Sequence, residues 1–146
     1  MPEHPTVEVT VNVEAGGAGV DEEILRAAVV HTLSGHRVGG ALSLTLIDDP
    51  SIRALHGAYL GKDRVTDVIA FSLGEVGALL GDVYVGVEQA RRQAEEHDVD
   101  VREELVRLAV HGTLHVLGHE HPEGEDRFGS PMFELQERLV REILAD

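Results

Sequence analysis

The segment from residue 111 to residue 121 carries four of the chain's nine histidines, and their spacing restricts how this segment can fold. His111 and His115 are four residues apart, so a helix would place both on one face. Gly118 can end that helix in the left-handed conformation open to glycine, and the chain can then double back to bring in His121. Three imidazoles with a fourth position left to water are typical of a catalytic zinc site. The spacing therefore predicts one divalent metal ion, most naturally Zn²⁺, held by His111, His115 and His121.

Composition narrows the class of protein. The chain has 146 residues, 42% hydrophobic and 27% charged, which is typical of one globular domain. It has no cysteine, so a metal must be bound by His, Asp or Glu. No apolar run approaches the roughly 20 residues that span a bilayer, and the first residues lack the pattern of a secretory signal, so we expect a cytoplasmic protein. The net charge of -15 disfavours broad, non-specific attraction to nucleic acid.

Hydrophobic periodicity predicts a single α+β domain over residues 1–146, with a small mixed four-stranded sheet packed by about five helices. Strands are predicted at 7–13, 42–46, 65–73 and 79–85, the first two parallel and the last two an antiparallel hairpin. Helices are predicted from a cap at Asp21, from Asp49 and Pro50, over 87–97, from a cap at Asp100, and after Ser130. The fourth of these carries the histidines and is expected to lie over one face of the sheet.

The histidine spacing also matches the ligand spacing of metzincin peptidases, His-x-x-x-His-x-x-Gly-x-x-His. Those enzymes need a glutamate directly after the first histidine, as general base for the hydrolytic water. Here that position is Gly112, which has no side chain to accept a proton. The sequence therefore keeps the metal ligands without the peptidase base, although a metal alone can still activate water.

The run HGTLHVLGHEH at 111–121 resembles the HGxLHLxG[YH][DE]H signature of the YbeY family of bacterial endoribonucleases, also called ribosomal RNA maturation factors. Further matches are GKD at 61–63, TDVIAF at 66–71, LLGD at 79–82 and EQARRQAEE at 88–96, so the resemblance covers roughly residues 40–122. It implies a metal-dependent endoribonuclease that prefers single strands and acts in 3′-end maturation of small-subunit ribosomal RNA and in ribosome quality control. RNA and the small ribosomal subunit or its proteins are the implied partners, and His111, His115 and His121 are the implied ligands.

The chain departs from the family pattern Arg-x-Lys-Asp-x-Pro-Thr-Asp at two positions, because Leu60 replaces the arginine and Val65 the proline. An arginine there could clamp a phosphate and neutralise charge that develops during phosphoryl transfer. Its absence either removes nuclease activity or shifts the role to Lys62, a candidate catalytic and substrate-binding residue, or to Arg64, a candidate substrate-binding residue. Glu120 is the second catalytic candidate, since it could orient a ligand or accept a proton.

Two other functions stay open. One is a ribosome assembly factor whose metal only braces the fold, which Leu60 and the acidic charge favour. The other is a metallohydrolase of peptides or small molecules, against which Gly112 argues.

Overall fold

A computed structural model describes residues 6–15, 20–61, 64–74, 79–121 and 124–145. Its four strands form one sheet in the order β1-β2-β4-β3. β1 runs parallel to β2, β2 runs parallel to β4, and β3 is antiparallel to β4. The strands are β1 (Val7–Val13), β2 (Gly40–Ile47), β3 (Val68–Ser72) and β4 (Leu79–Gly86). The predicted mixed sheet, with its parallel first pair and its hairpin, is confirmed.

In the part of the chain that the structure describes, five α-helices pack against the sheet or against one another, as predicted, and a short 3₁₀ helix (Gly124–Gly129) precedes the last of them. They are α1 (Glu22–Gly35), α2 (Asp49–Leu60), α3 (Val87–Glu96), α4 (Val101–Val116) and α5 (Pro131–Leu144). The α+β fold class is therefore confirmed, while the assignment of all of residues 1–146 to one metal-hydrolase domain stays a prediction. No helix within the described ranges is long and apolar enough to cross a membrane.

Side chains at the N-caps fix where four of the helices begin. In each, an oxygen of the cap residue accepts a hydrogen bond from a backbone N–H of the first turn, which would otherwise lack a partner. The predicted cap at Asp49 is wrong by one residue, because the carboxylate of Asp48 accepts from the N–H of Ser51 and Asp49 lies inside the first turn with Pro50. The four cap residues are Asp21, Asp48, Asp100 and Ser130.

The main core lies between one face of the sheet and the helices α1 and α4, with α5 packed on both helices. Alternate residues of β2 and β4 point into this core, which is why large apolar residues recur at every second position of these strands. On the opposite face, α2 covers part of the sheet through Ile52, which packs with Ile47 and Ile69. The histidine helix predicted to lie over one face of the sheet is α4, and this placement is confirmed.

Strand β3 is shorter than the predicted 65–73. Among the described residues it is an edge strand paired with β4 alone, and the pairing of Val68 with Val85 is the last one before β4 ends and α3 begins. Beyond it, the backbone N–H of Gly86 donates one hydrogen bond to the carbonyl of Asp67. Residues 65–67 consequently run as a loop beside the start of α3, beyond the end of β4.

Candidate metal centre

Helix α4 presents His111 and His115 on the same face, with their Nε2 atoms 3.0 Å apart. The chain leaves the helix after Val116 and returns with His121, whose ring centroid lies 5.1 Å from each of the other two. One possible ligand atom from each of the three histidines lies within 4.8 Å of the others. The structure thus brings the three predicted ligands together at one point.

The return of the chain depends on Gly118. Its φ of +99° is a conformation that residues with a Cβ rarely adopt, as the sequence predicted for this position. The following residue, His119, is tied to the end of α1, because its Nε2 lies 2.8 Å from Nε2 of His36. His36 in turn lies with Nδ1 2.7 Å from the carbonyl oxygen of Thr32. His119 therefore anchors the turn that carries His121 rather than joining the three ligands.

A buried glutamine orients one of the ligands. Nδ1 of His111 lies 2.6 Å from Oε1 of Gln136 on α5, while Nε2 of Gln136 donates to the carboxylate of Glu137 at 3.1 Å. Because the amide oxygen can only accept, the His111 proton sits on Nδ1 and the lone pair of Nε2 faces the other two histidines. Sequence reasoning did not find Gln136. Its signal was a polar residue on the buried side of α5, between Met132 and Val140.

Beyond Gln136 lies a network centred on Arg107. Its guanidinium donates to Glu103, Glu104 and Glu137 over 2.9–3.0 Å. Glu104 is only 2% exposed and also accepts from the amide of Gln93 on α3 at 2.8 Å. Burial works against the charge of Arg107, yet its hydrogen bonds to the three carboxylates raise its pKa overall. The network thus joins α3, α4 and α5 directly behind the three histidines.

The electrostatics of the site favour neutral imidazoles. Burial lowers the pKa of His111, and burial together with the neighbouring His111 and His121 lowers the pKa of His115 to about 4. A histidine must be neutral to bind a metal, so these two are ready to do so near neutral pH without losing a proton. Three convergent nitrogens, one of them in a fixed tautomer, are a donor set that fits a divalent ion.

Gly112 faces the sheet. A Cβ at this position would lie 2.5 Å from Cγ1 of Val83 and 3.1 Å from Cγ2 of Val68. The position at which a metzincin carries its general base therefore points into the main core, and no larger side chain fits there without moving α4 or the sheet.

An open cleft of about 500 Å³ extends from His111 and His121 between α3, α4 and the start of α5. This volume lies within the range of small-molecule sites in proteins. Its described lining includes Gln93, Glu104, Arg107, Arg127, Phe128 and Gln136. The metal centre is thus accessible from a cleft large enough for part of a substrate.

The sequence also singled out Glu120, Arg64 and Leu60, none of which belongs to the described lining of this cleft. Glu120 and Arg64 are exposed, and the carbonyl oxygen of Arg64 lies 3.1 Å from Nδ1 of His56. Leu60 is 52% exposed at the end of α2. Lys62 falls outside the described residues. The catalytic roles of Glu120 and Lys62 and the substrate-binding roles of Lys62 and Arg64 stay predictions.

Comparison with known proteins identifies the family. The family model described as "Endoribonuclease YbeY" matches residues 12–144. This chain belongs to the YbeY family. A relative named "Endoribonuclease YbeY" from Persephonella marina is 33% identical over 141 residues, covering 92% of each chain. A relative of the same name from Desulfitobacterium hafniense is 44% identical over 112 residues, covering 69% of this chain and 71% of that one.

The fold is similar to that of a protein of known structure. A solution structure from Thermotoga maritima superimposes with a TM-score of 0.64 at 27% identity, covering 94% of this chain and 89% of that one. The resemblance inferred from short motifs over residues 40–122 therefore extends along nearly the whole YbeY chain.

Proposed function

We propose that this YbeY chain is a metal-dependent endoribonuclease that cleaves single-stranded RNA. The observation that carries the proposal is the group of three convergent histidines at the end of an open cleft. Family membership supports it, since relatives that match most of the chain are named endoribonucleases. The proposed substrate is small-subunit ribosomal RNA, matured at its 3′ end and monitored in ribosome quality control. The small subunit or its proteins would be partners, and the reaction would take place in the cytoplasm, where this RNA is made.

His111, His115 and His121 would hold one divalent ion, for which we propose zinc. When bound, such an ion supplies Lewis-acid chemistry and stabilises negative charge on a phosphodiester. Gln136 keeps the proton of His111 on Nδ1 and so fixes the direction of the Nε2 lone pair. Because Gly112 offers no base, a proton acceptor must come from elsewhere, and we propose the exposed carboxylate of Glu120.

One observation favours a second function. Leu60 is exposed and aliphatic where the family pattern has an arginine, which supports an assembly factor whose metal braces the turn after α4. A hydrolase of peptides has less support, because Gly112 packs directly against Val83.

The test is cleavage of a labelled single-stranded oligoribonucleotide by purified, zinc-loaded protein, beside the same sequence in a duplex. We expect cleavage of the single strand only, with loss of both activity and bound zinc in His115→Ala. His31→Ala serves as the control, because His31 is an exposed histidine paired with Glu142 outside the site. Intact RNA after incubation with fully loaded protein would contradict the proposal.

Two further measurements separate the alternatives. In a bacterial strain that lacks its own family member, the chain should restore 3′-end maturation of small-subunit RNA, and His115→Ala should not. If His115→Ala restores maturation, the assembly-factor function is correct. A large gain in cleavage on Leu60→Arg would support the nuclease, and no change would favour the accessory role.

A further inference from the structure

The cleft beside the three histidines contains two arginines among its described residues, and they differ in whether carboxylates neutralise their charge. Arg107 is engaged by three carboxylates, so its charge is already neutralised. Arg127, at the end of the 3₁₀ helix, is exposed, and its guanidinium carbon lies 4.8 Å from the centroid of the Phe128 ring. Within the described part of the chain it makes no ion pair with a carboxylate.

Arg127 faces the same cleft as His111 and His121, so its charge lies on the approach to the three histidines. An arginine in this place can do what the missing arginine at Leu60 would do, which is to bind phosphate oxygens with its planar fork of N–H donors. It approaches the centre from the side of α5, whereas Leu60 lies at the end of α2.

Phe128 presents an aromatic surface beside this cation. The side chain is 53% exposed, although large apolar side chains are usually covered. Its ring is fixed by a T-shaped contact with Phe133 in the first turn of α5, at 5.4 Å between centroids and 88° between planes. An exposed, immobilised aromatic ring next to an arginine is a platform on which an unpaired base can stack.

We propose that Arg127 and Phe128 together bind one nucleotide of single-stranded RNA in the cleft, with the phosphate on the guanidinium and the base against the ring. This inference rests on the proposed function and identifies the part of the substrate that the cleft recognises. It also gives a physical reason for single-strand preference, because a base within a duplex is stacked between its neighbours and has no free face. The contact would suit any base, since every base has a π-face.

The test is the dissociation constant of a fluorescent 2′-O-methyl oligoribonucleotide for zinc-loaded protein, with gel analysis to verify that the oligonucleotide stays intact during the measurement. Phe128→Ala should weaken binding roughly 5- to 150-fold, the usual range for loss of one stacked base. Arg127→Gln should weaken binding and reduce the slope of log Kd against log salt by about 0.7, the value for one phosphate contact with a single strand. Arg127→Lys should restore the slope with only part of the affinity.

Matched controls lie elsewhere on the surface. Arg138→Gln removes an arginine whose side chain is 62% exposed on α5, and Leu73→Ala removes an apolar side chain that is 55% exposed beyond β3. Both should bind like the parent. Phe128→Leu keeps an apolar contact with Phe133 and should still lose affinity, and zinc content with thermal melting verifies the fold of each variant.

The outcomes distinguish a failure of this inference from a failure of the proposed function. If the parent cleaves RNA but Arg127→Gln and Phe128→Ala bind like the controls, the inference is wrong and the proposed function stands. If binding depends on both residues but no RNA is cleaved, the proposed function is wrong and the inference stands. A parent that does not bind the oligonucleotide, or a larger loss in Arg64→Gln than in Arg127→Gln, overturns the inference.

Discussion

The amide of Gln136 decides which nitrogen of His111 is available to a metal. Its oxygen lies 2.6 Å from Nδ1, and its nitrogen is already engaged with Glu137, so the amide cannot turn round without losing both bonds. A ligand that is held in one tautomer and one orientation binds more tightly than one that must be ordered on binding.

We therefore expect Gln136→Ala to weaken zinc binding about 10- to 100-fold, the usual effect of losing such a partner. Competition against a chromophoric chelator measures it. Gln136→Glu keeps an acceptor oxygen for Nδ1 but turns a second acceptor toward Glu137, so it should recover only part of the affinity. Glu134→Ala, an exposed change on the same helix, should leave the affinity unchanged, and an equal loss in all three would show that α5 matters only as a scaffold.

The lowered pKa of His115 gives the metal-free protein a defined pH dependence. The folded pKa is about 4, against an ordinary 6.5 for the unfolded chain, because of burial and then the neighbouring His111 and His121. Between these values the unfolded state binds a proton that the folded state does not, so unfolding is favoured as the pH falls. The contribution is fully present above about pH 6.5 and is lost progressively below it.

Urea unfolding of chelator-treated protein should accordingly show stability falling from about pH 6.5 to about pH 5, above the range in which the carboxylates titrate. His111 contributes in the same direction, since its pKa is also lowered by burial. In His115→Leu the fall should be smaller. A stability that stays level or rises on acidification over this range would contradict the assignment.

Among individual residues, the sequence predicted those that their spacing along the chain is enough to identify. His111, His115 and His121 follow from helical periodicity and one glycine. Gln136 did not, because α5 brings it to His111 only in the folded chain, and neither did Arg127, because a lone arginine has no diagnostic spacing.

Two glycines set the distance between α4 and the sheet. A Cβ on Gly112 of α4 would meet Val83 of β4, and a Cβ on Gly81 of β4 would meet Cγ1 of Val116 of α4, each at 2.5 Å. Each element thus places a valine in the space left by a glycine of the other. This reciprocal packing brings the histidine helix close to β3 and β4.

We expect Gly112→Ala to destabilise the protein by about 1–3 kcal/mol, as overpacking of a close-packed core usually does. The free energy of unfolding in urea measures the effect. The matched control is Gly35→Ala at the end of α1, where a Cβ meets nothing within 4 Å and where loss of backbone freedom in the unfolded chain should stabilise by about 0.4–1 kcal/mol. Equal effects of the two substitutions would refute the packing argument.

Local signals explain how much of each element could be predicted. The helix starts at Asp21, Asp100 and Ser130 followed from capping chemistry, and the alternating strands from the burial of one face. The end of β3 could not be predicted, because it is set by where β4 turns into α3. The 3₁₀ helix before Ser130 has no periodic pattern of its own and was missed.

On the scale of the whole molecule, Arg107 connects three helices through carboxylates that would repel one another without it. Glu104 is nearly inaccessible, so removal of the arginine would leave a buried charge without its partner. We expect Arg107→Ala to cost about 3–5 kcal/mol of folding free energy, the usual effect of breaking a buried ion pair from one side.

Arg102→Ala is the matched control for this measurement by thermal or urea unfolding. Arg102 lies on the same helix and pairs with Asp21 at 3.3 Å, with both side chains largely exposed. Exposed pairs contribute about 0–1 kcal/mol, so its loss should be small. Equal stability of the two arginine variants would show that the network around Arg107 contributes no more to folding than an exposed ion pair.

The hydrogen bonds behind the metal centre also have a direction. From the surface, Gln89 donates to Gln93 and Gln93 donates to Glu104; from the centre, His111 donates to Gln136 and Gln136 donates to Glu137. Both series of hydrogen bonds end on carboxylates, so each glutamine amide has a single permitted orientation. A glutamate at 93 would be nearly identical in shape yet would face Glu104 across 2.8 Å as a second acceptor. Such a variant could complete the series only by keeping a proton, which would make it a carboxylic acid with a raised pKa in the wall of the cleft.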